Sequence, residues 1–281
     1  MPSDPLVNDP SSSLVPHAVN VPVAFDSSGQ LLLGVLHTPA GPGPHPIVVL
    51  LHGFPGNERN FDLAQVLSRA GYAAVVFHYR GSWGIGGTWT WSHVLEDAKR
   101  VVDAVRAADF VARHRLAPDR VAVVGHSLGG FAALRIAAAD QDIAAVGSIA
   151  GFDLGAAAGA AALDPEARAG YVAAFADSLL PLTGTSGEAL VAEMEAAGDD
   201  WALARLAEPL ADRPVLLVAG SRDDVAPTAL HHEPLVAAYL MRSVTALEHA
   251  IFPTDHAFSD HRVALARTVL AFLNRHLRAA R

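Results

Sequence analysis

The chain contains no cysteine, which excludes both a disulfide framework and any thiolate-ligated metal site. It has a single lysine, Lys99; every other basic side chain is arginine. Acidic residues outnumber basic ones, 29 to 20, for a net charge of −9. No basic stripe interrupts this balance, so neither nucleic acid nor an anionic membrane surface is an expected partner. No apolar run approaches the roughly 20 residues of a membrane span. The first residues, "MPSDPLVNDPSSSLVPH", lack the charged and apolar regions of a signal peptide. Rich in Pro, Ser and Asp, residues 1–18 read as a flexible lead-in, and the expected location is cytoplasmic. Composition carries no signal for an oligomeric state.

What is present is apolar residue, 51% of 281 positions, enough for one large α/β domain with an insertion. Strand-like stretches at 19–25 and 31–38 flank a turn at Asp26-Ser27-Ser28-Gly29. From residue 47 onward, strands and helices alternate. Continuous apolar strands are expected at 47–51, 72–78, 121–125, 143–149 and 215–219, with an extended stretch at 244–248. Helices are expected at 58–70 with Asn57 as N-cap and Gly71 at C′, through Val94, Ala98, Val101 and Val105, and at 127–139, 228–240 and 259–277. The last is amphipathic, with Val263, Ala266, Leu270, Leu273 and Leu277 as its apolar positions. Strands apolar on both faces imply a mostly parallel sheet flanked by helices, with the first two strands as an antiparallel edge. Residues 155–208 are alanine-rich and carry no strand pattern. They read as a helical cap inserted into a core of residues 19–154 and 209–281.

"VVGHSLGGFAAL" (123–134) places Ser127 where an apolar strand gives way to a helix. Gly125-His126-Ser127-Leu128-Gly129 fits G-x-S-x-G, the nucleophile elbow. A serine needs an adjacent base to act as a nucleophile at neutral pH. In this motif an acid and then a histidine follow the serine along the chain. "VLLVAGSRDDVAP" supplies Asp223 and Asp224, either of which could serve, and "FPTDHAFSD" supplies His256 as base. The oxyanion hole needs two N–H donors: Leu128, next to the nucleophile, and Phe54 in "LLHGFPG". Trp83, Trp89 and Trp91 cluster near Tyr79; Trp83, Trp89 and Tyr79 are candidates for the substrate pocket, though indoles also serve as core anchors. His231-His232-Glu233 lacks any metal-ligand spacing, and neither metal nor cofactor is expected.

The stretches "HGFPGNERN", "FHYRGSWGIGG", "GHSLGG", "GSRDDVAP" and "TDHAF", in that order, resemble an α/β-hydrolase-fold serine hydrolase. The chain is most similar to the catalytic domain of the prolyl oligopeptidase and acylaminoacyl-peptidase group. That resemblance implies a pattern of Gly, two residues, Asp, three residues, Pro, which Gly220, Asp223 and Pro227 match; it therefore favours Asp223 as the acid. The large peptidases of the group carry an N-terminal β-propeller, for which this chain has no room. The expected activity is hydrolysis of small carboxylic esters with short to medium acyl chains, through a Ser-His-Asp triad and an acyl-enzyme. A small aminopeptidase or amidase is the alternative, and a non-catalytic ligand-binding protein the remote one.

Overall fold

The structure is a computed structural model that describes residues 4–277. Its eight strands are β1 (Val19–Ser27), β2 (Gln30–Thr38), β3 (His45–Leu51), β4 (Ala73–Phe77), β5 (Leu116–His126), β6 (Ile143–Ile149), β7 (Pro214–Gly220) and β8 (Ala246–Phe252). They form one sheet in the order β1-β2-β4-β3-β5-β6-β7-β8. β1 pairs antiparallel with β2, and β2 with β4; all other pairs are parallel. Successive residues of a strand point to opposite faces. Ile47, Val49 and Leu51 of β3 therefore join one apolar cluster while Val48 and Leu50 join the other.

Helices cover both faces. On one side lie α1 (Phe61–Arg69) and α10 (Arg262–His276). On the other lie α2 (Trp91–Arg106), α4 (Leu128–Ala139) and α9 (Glu233–Met241). Two short helices, α3 (Ala108–His114) and α8 (Thr228–His231), precede β5 and α9. Between β6 and β7 the chain forms α5 (Leu154–Leu163), α6 (Pro165–Asp177) and α7 (Gly187–Ala197), followed by two turns of 3-10 helix. Asp153 caps α5, accepting from the Gly155 and Ala156 amides, and Arg168 ties α6 to Glu188 and Glu195 of α7. α7 is anchored in turn to the start of α2: Glu193 accepts from the Trp91 and Ser92 amides, a favourable place for an anion. Among the described residues, no helix is long and apolar enough to cross a membrane.

Several boundaries differ from the sequence expectation, each for a local reason. The first helix begins at Phe61, not residue 58, and its N-cap is Asn60 at φ 58°, not Asn57. Asn60 makes no capping bond because its side-chain oxygen accepts from Arg262. The helix expected over 228–240 breaks at His232, since Pro234, in the first turn of α9, has no N–H to donate to the Leu230 carbonyl and its ring crowds that carbonyl. The last helix starts at Arg262, after a turn in which Phe258 takes φ 58°, and Val263 is 61% exposed. Within the lead-in, Pro5 accepts a hydrogen bond from Arg69 and Leu6 packs on the core.

One buried ion pair fixes the loop after β4. Asp97 on α2 is fully buried and accepts from the Arg80 amide, Arg80 Nε and Ser27 Oγ. Truncating Asp97 leaves the buried Arg80 with Glu96 as its remaining partner and takes the acceptor from the Arg80 amide and the Ser27 hydroxyl. Asp97→Ala is expected to cost about 3 kcal/mol, measured by urea denaturation; a loss below about 1 kcal/mol would show that the pair contributes little.

Candidate active site

Parallel strands deliver their following loops to one edge of the sheet, and ligands bind beyond that edge in open α/β folds. Three such loops matter here: Ser127 follows β5, Asp223 follows β7 and His256 follows β8. Ser127 sits at φ 57° and ψ −122°, a backbone conformation costing a non-glycine residue of order 1–3 kcal/mol. Its amide donates to Ile149 at 2.8 Å, and its carbonyl accepts from Gly130, Phe131 and Phe152. The flanking glycines permit the close approach of helix and strand. A Cβ on Gly125 would lie 1.9 Å from the Gly129 carbonyl oxygen, and one on Gly129 would lie 2.1 Å from that of Leu51. The loop after β3 passes equally close, for a Cβ on Gly53 would lie 2.8 Å from that of Ser127.

His256 Nδ1 donates to Asp223 Oδ2 at 2.7 Å, which leaves the Nε2 lone pair free to accept a proton. The other oxygen of Asp223 accepts from the Val225 and Ala226 amides at 2.9 and 2.7 Å. Burial works to raise the Asp223 pKa, yet the His256 contact and the two amides outweigh it and hold the carboxyl below its ordinary range. Of the two aspartates, Asp223 therefore faces the histidine; Asp224 is exposed on the rim of the cavity. The loop bearing His256 is held from two more sides. His126 Nε2 donates to the His256 carbonyl at 2.8 Å. Arg262 donates to the Ala257 carbonyl and to Asn60, and pairs with Asp62 of α1.

Ser127, Leu128, Phe54 and His256 line one cavity of about 680 Å³. Among the described residues, the Phe54 and Leu128 amides donate to no acceptor, and no side chain bonds the Ser127 hydroxyl. The expected pocket residues fall elsewhere. Tyr79 and Trp89 are fully buried beneath the loop after β3, where the Tyr79 hydroxyl donates to the His52 carbonyl and both rings contact the His52 ring. Trp83 lies in a neighbouring depression, its indole N–H donating to Pro55. The aromatic lining comes instead from Trp91 and from Phe152, Tyr171 and Phe175, the last two on α6. No local pattern marks those three: Phe152 reaches Ser127 through the pairing of β5 with β6, its amide donating to the Ser127 carbonyl, and Tyr171 and Phe175 through the packing of α6. Among the described residues, no group of three or more His, Cys, Asp or Glu side chains is placed to hold a metal ion.

A model of the alpha/beta hydrolase family matches residues 48–268. The chain belongs to the alpha/beta hydrolase family. It is 32% identical over 116 residues to 2,6-dihydropseudooxynicotine hydrolase of Paenarthrobacter nicotinovorans, a match covering 41% of this chain and 30% of that protein. The matched stretch thus spans under a third of that curated relative. An esterase from Pyrococcus furiosus superposes with a TM-score of 0.66 at 17% identity, over 93% of this chain and 92% of that one. A puromycin-hydrolyzing peptidase of Mycobacterium tuberculosis gives 0.69 at 22% identity, over 94% of this chain and 40% of the other. At these identities the structural likeness shows the fold; the family supports hydrolytic chemistry for this alpha/beta hydrolase.

Around the site this hydrolase buries several imidazoles. Burial pushes His52 and His126 down to about 3, and His231 and His232 down to about 4. The unfolded chain protonates these rings near pH 6.5, whereas the folded chain resists until pH 3–4. The unfolded state therefore binds more protons throughout that window, and stability falls as pH falls. The urea midpoint should drop clearly between about pH 7 and about pH 5; an unchanged midpoint would mean that the rings are protonated when folded. Geometry also separates the two aspartates. Asp223→Asn should lower kcat roughly 10⁴-fold through the wrong histidine tautomer, far more than Asp224→Asn. Steady-state kinetics of both variants test this, and equal losses would contradict it.

Proposed function

We propose that this hydrolase cleaves carboxylic esters with short to medium acyl chains through an acyl-enzyme. The reading rests on the His256–Asp223 hydrogen bond of 2.7 Å beside a serine hydroxyl and two amides without acceptors, all around one cavity. Ser127 is the nucleophile, and His256 takes its proton at Nε2 as the oxygen attacks the ester carbonyl. Asp223 keeps the imidazole in the required tautomer and stabilises the imidazolium. The Phe54 and Leu128 amides receive the developing oxyanion; each donor in such a hole contributes roughly 100- to 1,000-fold in turnover. His256 then returns the proton to the departing alcohol, and the same groups activate water to release the acid.

Helices α5–α7, nearly all within residues 155–208, act as a cap, and α6 walls the acyl site with the Tyr171 and Phe175 rings. Two cap-side features favour esters over peptides. The walls are mostly hydrocarbon, and the polar side chains on them besides Ser127 and His256 are few: Tyr171, Ser178 and Asp224. A bound peptide would leave its buried amides short of partners, at about 1–3 kcal/mol each.

p-Nitrophenyl acetate, butyrate and octanoate, set against aminoacyl p-nitroanilides, test the assignment. Short esters should be hydrolysed in preference, and Ser127→Ala should remove at least roughly 10⁴-fold of that turnover. Near-normal activity in the variant would displace Ser127 as nucleophile. Comparable anilide cleavage would make the protein an amidase, and silence on every substrate would favour a binding role.

A further inference from the structure

The cavity at Ser127 has an aromatic wall and an unbalanced charge. Five rings line it: Phe54, Trp91, Phe152, Tyr171 and Phe175. Phe54, Trp91 and Phe175 meet edge to face in all three pairings, with ring centres 5.2 to 5.5 Å apart. Phe152 and Tyr171 extend the cluster through Phe175. The Trp91 indole N–H is taken by the Leu190 carbonyl at 2.9 Å, so Trp91 offers the cavity ring and no donor. Phe152 is held in turn by the buried His231 ring, whose Nδ1 accepts from the Asp153 amide.

No lysine or arginine is among the residues lining this cavity. Its lining carries one carboxylate, Asp224, for which no hydrogen bond or ion pair is formed among the described residues. The nearby cations are committed elsewhere. Arg222 pairs with Asp260 at 2.5 Å, Arg262 pairs with Asp62, and Arg59 stacks over Trp83 at 4.5 Å. Ring faces attract cations, and a concave site walled by low-dielectric material focuses the field of a carboxylate at its rim. An anionic substrate would meet both with no cationic partner, and the Tyr171 and Ser178 hydroxyls would be the only side-chain donors besides the reacting groups.

We infer that this cavity selects substrates bearing a cationic ammonium group, with Asp224 as the specificity-determining residue that faces that charge. The inference takes the Ser127 cavity as the substrate site, as the proposed function does. Its test is made on binding, so that it stands or falls apart from turnover. In the Ser127→Ala protein, phenyltrimethylammonium and benzenesulfonate are titrated by calorimetry, with and without Asp224→Asn. The cation should bind at least about tenfold tighter than the anion. Asp224→Asn should remove most of that ratio, and raising NaCl from about 0.02 M to about 0.5 M should compress it. Equal affinity for the two ions, no binding of either, or a ratio that Asp224→Asn leaves intact would overturn the inference. A ratio that depends on Asp224, in a protein whose wild type hydrolyses no ester, would uphold the selectivity and remove the esterase reading. Ester hydrolysis without the ratio would do the reverse.

Discussion

A serine held at positive φ is costly, and the molecule keeps one because every backbone group of Ser127 is engaged. Its amide is tied to the strand beside it, and its carbonyl receives two donors from the turn that follows and a third from Phe152, just beyond that neighbouring strand. The glycines at 125 and 129 let that turn close, since a methyl group at either would sit inside a carbonyl oxygen. Much of the site's geometry follows from this constraint. The loop after β3 runs against Ser127, which brings Phe54 into the same cavity. The residue preceding the serine is pressed against the loop that carries His256. A side chain at that position with a buried N–H, as His126 has, can therefore hold the His256 loop in register with Ser127.

The neutral histidines belong to the same economy of space. His52, His126 and His231 each present a ring of aromatic shape with one usable polar edge, and each points that edge at a backbone group. His52 fills the volume under the loop after β3, against Tyr79 and Trp89. A phenylalanine would fill that space but could not donate to the Gly53 carbonyl. These rings position the residues around the cavity without entering it.

Legibility in the sequence followed the range of the interactions. The strands from β3 to β7 were readable because runs of β-branched and small apolar residues buried on both faces have few other uses. The loops bearing Ser127, Asp223 and His256 could be placed together because parallel strands send their following loops to one edge. Physics alone left Asp223 and Asp224 level: the two are neighbours, and the difference between them is the direction of a side chain set by the Val225 and Ala226 amides. The wall of the Ser127 cavity is hard to read from the sequence for a related reason. Trp83, Trp89 and Tyr79 are close to one another in sequence, yet two of them are consumed in packing His52 and the third lies beyond Pro55. The rings that do line the cavity are scattered along the chain from Phe54 to Phe175, brought together by tertiary packing that leaves no periodic trace.

Arg262 carries a consequence for how this sequence can drift. Nearly all of the chain's positive charge is arginine, and at most surface positions a change to lysine would alter little. At Arg262 one planar guanidinium reaches the Ala257 carbonyl, the Asn60 side chain and both oxygens of Asp62. Those acceptors lie in three directions that the fork of an arginine spans and the single nitrogen of a lysine does not. Codon exchange that is neutral elsewhere would here release the histidine loop from the loop that follows β3. Among related sequences whose basic residues have shifted toward lysine, this position should remain arginine.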